Sequence, residues 1–170
     1  MNAARFAQIA VEDLHRGFRA EVEPLSFEQL VFMPAPDANS IIFLLWHATC
    51  NEDHVLHQRL RGEETLWERE AWYSRLGLEK SDRGMGFTSA QVAGFRPAKQ
   101  DVVAYCQRVW EAVPAAIGGF TEGDLDRVLN PERPDMTVGR SIANFIIGHG
   151  FWHLGDIRFL KGLQGMPFGR

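Results

Sequence analysis

The stretch Ser40-Ile41-Ile42-Phe43-Leu44-Leu45-Trp46-His47-Ala48-Thr49-Cys50-Asn51-Glu52-Asp53 holds the most apolar run of the chain, and a histidine stands at the end of that run. Ser40 suits a helix N-cap, because its hydroxyl can accept from a free backbone N–H of the first turn. Downstream, Gly62 is a stop signal. Between them Ile41, Leu44, Leu45, Ala48, Val55 and Leu56 recur at steps of three and four, the period of one helix face, so a helix is predicted from Ser40 to about Leu60.

The same reading extends outward. Phe6, Ile9, Ala10, Leu14 and Phe18 make one face of a helix over about Ala3 to Val22. Pro24, Pro34 and Pro36 bracket the first connection, Gly84, Gly86 and Pro97 mark a long middle one, and Pro131 and Pro134 mark the last. A short helix is expected around Ala71 to Leu76, and Thr88 with Gln91 reads as a capping box. Pro97 favours a helix start just after it, and Val102, Val103, Tyr105, Val109 and Val113 carry that helix to Pro114, expected to kink or end it, with Gly118-Gly119 as a stop. The fourth helix is expected from about Val138–Ser141 to Leu160. No period-two run of any length competes, so the fold class is all-α, a four-helix bundle with one apolar interior in a single domain over 1–170.

With 170 residues, 45% apolar and 24% charged, the chain has the balance of a soluble globular domain. A net charge of −4 gives no basic stripe for nucleic acid. Met1 to Phe18 is amphipathic, carries Glu12 and Asp13 and lacks the apolar core of a secretory signal, and no stretch is apolar enough to span a membrane. Cys50 and Cys106 stand far apart, with no C-x-x-C, and are expected as free thiols in a reducing cytoplasm.

Chemistry concentrates in the histidines. His149-Gly150-Phe151-Trp152-His153 places two imidazoles on one helix face, one turn apart. Ile142, Phe145, Ile146, Trp152 and Asp156 fall on the same side, so both rings are expected to point into the bundle. Paired buried imidazoles need partners, and a metal ion satisfies both at once. His47, at the end of an apolar run, has the same need and supplies a third ligand from a facing helix. Three protein ligands and an open position is the pattern of a catalytic metal. The plainer reading is that each histidine is hydrogen-bonded in the core and no metal binds. The pair is not the H-E-x-x-H motif, because Gly150 stands where the general base would be.

His54 lies about 10 Å further along the helix axis than His47 and is left out of the ligand set. His15 and His57 are expected at the surface or rim. Glu52 and Asp53 read either as surface charge near Arg59 and Arg61 or as a hydrogen-bond acceptor for a ligand histidine or water. Asp156 shares the face of His149 and His153, one turn on, and is the better placed proton acceptor; Asp156 and Glu52 are the candidate catalytic carboxylates. Gly148, Gly150 and Gly155 weaken the fourth helix and are expected to serve close packing, or to leave room for a ligand. The aromatics Trp46, Trp67, Trp72, Phe151 and Trp152 are expected in the core.

Trp46-His47-Ala48-Thr49-Cys50-Asn51-Glu52-Asp53 resembles the second-helix motif of the DinB-like superfamily, and His149-x-x-x-His153 resembles its fourth-helix pair. Leu66-Trp67-Glu68 through Leu76-Gly77-Leu78, Gly86-Phe87-Thr88-Ser89-Ala90-Gln91-Val92 and Thr137-Val138-Gly139-Arg140 are similar to the branch near the N-terminal domain of mycothiol-dependent maleylpyruvate isomerase. The resemblance spans about Ser40 to Leu163; helix one matches only in character. It implies an up-down-down-up bundle with a long connection between helices two and three, and His47, His149 and His153 as ligands of a divalent metal, with zinc or nickel favoured among the ions imidazole suits. It also implies a homodimer. The isomerase branch carries a second domain that is not expected within these 170 residues, so the isomerase reaction itself is not carried over.

Three functions follow. The leading one is a metal-dependent thiol S-transferase acting on a small molecule with mycothiol, bacillithiol, glutathione or a similar low-molecular-weight thiol. It needs a basic or polar pocket for the thiol's polar parts, which no stretch of the sequence identifies. The second is a metal-dependent hydrolase, active without thiol. The third is a stress-response protein that binds metal or a small ligand without turnover.

Overall fold

The computed structural model describes residues 1–167; the expected domain includes three further positions that lie outside the described residues. Helices begin and end where the caps put them. Asn2 accepts from the Arg5 N–H at 2.9 Å to open α1, Ala3–Val22. A short α2, Phe27–Leu30, opens with a Ser26–Gln29 capping box. Ser40 opens α3, Ile41–Asp53, which runs without a break into a π-helical continuation, His54–Arg61, ended by Gly62 at φ 69°. The middle connection holds α4, Leu66–Arg69, α5, Trp72–Arg75, and α6, Ser89–Gly94, the last opened by the Thr88–Gln91 box. Next come α7, Lys99–Gly118, and the short α8, Glu122–Asp126. The last long helix comprises α9, Val138–Ser141, a π-helical stretch, Ile142–Gly148, and α10, His149–Leu163, opened by Thr137. The described residues contain no strand, only an isolated bridge between Val128 and Thr137.

The fold is all-α. Helix α1 packs on α7 and α10, and α3 packs on the same two. Phe18, Trp46, Leu56, Tyr105, Ile117, Ile146 and Ile157 fill the space between them and are fully buried. Gly150 serves close packing, because a side chain there would run into Leu14 of α1. No described helix is long and apolar enough to cross a membrane.

Several expectations need correction. Pro114 does not end α7, which continues to Gly118. Val113 and Ile117 are both fully buried, and their packing holds the last turn although the proline lacks an N–H. Phe6 is exposed, so the buried face of α1 runs through Val11, Leu14, Phe18 and Val22. Phe151 and Trp152 are 43% and 77% exposed, while Trp46, Trp67 and Trp72 are core as expected. The buried face of α10 is Gly150, Leu154, Ile157, Leu160 and Lys161; its centre lies roughly a quarter-turn from the histidines, which sit at its margin in phase with Leu160. Of the three glycines, Gly155 has open space around it.

Asp53 shows how the bundle positions its long connection. Its carboxylate is wholly buried and accepts from the N–H groups of Leu66 at 3.0 Å and Trp67 at 2.8 Å, the free donors of the first turn of α4. The Tyr105 hydroxyl donates to it from α7 at 2.9 Å. With α4 pinned, Trp67 Nε1 donates to the Lys80 carbonyl at 3.1 Å, which directs the next segment back across α3 toward His47.

Candidate metal centre

His47 comes from α3 and His149 and His153 from α10, two helices that pack directly on each other. One nitrogen of each ring falls within 4.8 Å of the other two. His149 Nε2 and His153 Nε2 are 3.1 Å apart, and the His47 ring centre is 5.2 Å from both other rings. Two nitrogens each about 2.0–2.1 Å from one tetrahedral ion would lie about 3.3 Å apart, so the spacing fits zinc-type coordination. Among the described residues no cysteine or carboxylate joins this group.

The remaining nitrogens face outward to polar neighbours. His47 Nδ1–H donates to the Arg83 carbonyl at 2.7 Å, which leaves Nε2 free as an acceptor. His153 Nδ1–H donates to Asp156 Oδ2 at 3.2 Å. The Asn51 side-chain amide lies 3.3 Å from His149 Nδ1, beside the Phe145 carbonyl. Partners of this kind fix ring orientation and tautomer at metal sites. Gly84 makes the first of them possible. It sits at φ 78°, and a Cβ there would come 2.8 Å from His47 Nδ1 and 2.9 Å from Trp46 Cζ3.

Burial holds the His149 pKa down to about 4, with His153 and His47 adding to the effect. His47 is lowered too, chiefly by burial, against the opposing pull of the Arg83 carbonyl. Neutral imidazoles whose ring nitrogens converge to within 4.8 Å of one another are a ready ligand set.

The three histidines border a cavity of about 500 Å³. Phe43, Leu44, Val55, Phe87 and Phe145 form its apolar walls, and Asn39, Asn51, His54, Arg59 and Arg83 add polar groups. Both long helices that frame it turn π-helical along the cavity, a feature frequent at functional sites.

The predicted residues therefore part company. His47, His149, His153 and Asp156 come together. Glu52 does not join them: it is wholly buried on another side of α3, with Oε2 2.7 Å from His15 Nε2. His15 and His57 are not at the rim. Both are buried, His57 with Nδ1 2.8 Å from Asp53 Oδ1. Asp53 and Glu52 are consequently not surface charge near Arg59 and Arg61, because burying the two histidines requires acceptors beside them. Sequence reasoning missed Arg83 and Gly84, since the middle connection shows only a turn signal there. Cys50 and Cys106 are free and buried, and burial pushes both thiols up to about 12.

A sequence profile described as the DinB superfamily matches residues 10–157. No characterised protein matches the chain by sequence. Among solved structures, a conserved protein from Enterococcus faecalis superposes with a TM-score of 0.83 at 19% identity, covering 96% of this chain and 97% of that one. That likeness concerns the fold.

Proposed function

The chain belongs to the DinB superfamily, and on that premise we propose that it is a metal-dependent thiol S-transferase, or a related enzyme, using a low-molecular-weight thiol. The observation that carries the reading is the set of three inward nitrogens, from His47, His149 and His153, beside an open cavity of about 500 Å³ with no fourth protein ligand among the described residues. A zinc or nickel ion held there would supply Lewis acidity and make a thiol a stronger acid.

The chain's own groups do the rest. The Arg83 carbonyl and Asp156 hold the rings of His47 and His153 in place. Phe43, Leu44, Phe87 and Phe145 exclude water from the reacting groups. Asp156 lies behind His153 and outside the cavity lining, so its part is to orient that ring, and the thiol proton leaves to solvent through the open cavity. The sulfur then attacks an electrophilic carbon, a C–S bond forms, and the leaving group departs with its electron pair. Glu52 has no part in these steps, being occupied with His15.

The protein is proposed to work as a homodimer in the cytoplasm. Trp152 and Phe159 stand out from α10 at 77% and 66% exposure, with open space at Gly155 between them. Knobs beside a gap on one helix face are self-complementary across a two-fold axis. A Trp152→Glu variant would run as a monomer in light-scattering chromatography.

The activity test is a conjugation assay. Zinc- or nickel-loaded protein is mixed with 1-chloro-2,4-dinitrobenzene and, in turn, glutathione, bacillithiol and mycothiol. Product with one thiol, abolished in His149→Ala/His153→Ala, supports the transferase. Metal retention with no product from any thiol leaves a non-catalytic binding protein. Ester hydrolysis with no thiol present favours the hydrolase.

A further inference from the structure

The chain has a net charge of −4, yet the cavity beside the three histidines is lined by Arg59 and Arg83 and by no aspartate or glutamate. A second cavity of about 270 Å³ shows the contrast, since Glu12 and Glu111 there offset Arg16 and Arg19. Elsewhere Arg108 is tied to Glu70 and Arg158 to Glu21. Among the described residues neither Arg59 nor Arg83 pairs with a carboxylate. Arg83 donates to neutral partners, His54 Nε2 at 3.3 Å and Gln58 Oε1 at 3.2 Å. Arg59 rests with its guanidinium carbon 4.5 Å from the centre of the Phe145 ring. A guanidinium has five N–H donors, so both retain donors for a ligand.

We propose that the cavity binds a small organic carboxylate, held by Arg59 and Arg83 at the end away from the histidines. The proposal rests on the thiol-enzyme reading above and supplies the basic pocket that reading requires. Arginine suits the task because its planar fork matches a carboxylate. A cavity with two guanidiniums and a metal site, and no acid, concentrates positive potential and selects an anion. His47 and Arg59 are twelve residues apart along α3 and its continuation, roughly 18 Å of helical rise, and the arginine side chain reaches back toward the histidines. The carboxylate therefore sits on the order of 10 Å from the histidine nitrogens. Leu44, Val55 and Phe145 line the space between and suit an apolar middle. Either the thiol or the electrophile it attacks can carry the carboxylate.

The test is calorimetric titration of the zinc-loaded full chain with 6-mercaptohexanoate, 6-mercaptohexanol and hexanoate, in wild type and in Arg59→Gln/Arg83→Gln. Zinc content and circular dichroism verify that the variant remains loaded and folded. The thiol acid is expected to bind about tenfold tighter than the thiol alcohol in wild type and equally in the variant, with the alcohol's affinity unchanged. Hexanoate and the alcohol bound at the same time assign the carboxylate to the electrophile, and mutual exclusion of hexanoate and the alcohol assigns it to the thiol. If neither thiol binds but hexanoate does, and the variant loses it, the carboxylate site stands and the thiol reading falls. Equal affinity for acid and alcohol in wild type, or hexanoate binding absent or indifferent to both arginines, overturns the proposal.

Discussion

On one side of α3, His15 meets Glu52 and His57 meets Asp53; on the other, His47 meets only His149 and His153. The first two rings each have a buried carboxylate within 2.8 Å, and Glu52 and Asp53 are themselves wholly enclosed. The other three turn nitrogens toward one another, and only His153 has a carboxylate behind it. A buried imidazole needs a partner in both places. Where the chain provides an acid, the pair belongs to the architecture. Where it provides only further imidazoles and a cavity, the partner comes from outside.

If that division is right, Asp53→Ala produces the largest effect on folding. It removes the acceptor of Leu66, Trp67, Tyr105 and His57 together, and breaking a buried pair in this way costs about 3–5 kcal/mol in chemical denaturation. His47→Ala in the metal-free protein should change stability far less, since it frees no buried acid.

Gly84→Ala sharpens the comparison from the cavity side. A side chain at φ 78° costs roughly 1–2 kcal/mol, and the new methyl would crowd His47 Nδ1 and shift the ring from the Arg83 carbonyl. Losing such an orienting contact weakens metal binding by about 10–100-fold, which competition with a chromogenic chelator would read.

A smaller effect is expected from pH. In metal-free protein His149 titrates at about 4 when folded and near 6.5 when unfolded. Between those values the unfolded chain binds the extra proton, so stability falls as pH drops from about 6.5 toward 4. Urea midpoints across that window should fall in wild type and fall less in His149→Ala.

Much of this was legible in the residues. Ser40, Gly62 and the Thr88–Gln91 pair act locally, and the structure uses each as a cap or stop as read. The spacing of His149 and His153 is also local, and it set both rings on one side of α10. What sequence reading missed was long-range. His15 finds its acid 37 residues away and His47 its carbonyl 36 residues away, and no periodicity encodes either meeting. The depth of a face was misread for a related reason: period places Trp152 near the histidines, but only the packing of α10 on α1 and α3 shows that this edge faces out.

The most direct measurement is elemental analysis by mass spectrometry of untagged protein beside a His149→Ala/His153→Ala variant, both purified without chelator and then incubated with zinc or nickel. The account predicts near-stoichiometric metal in the wild type and almost none in the variant, with both equally folded by circular dichroism. A wild type that takes up no metal under those conditions would contradict it.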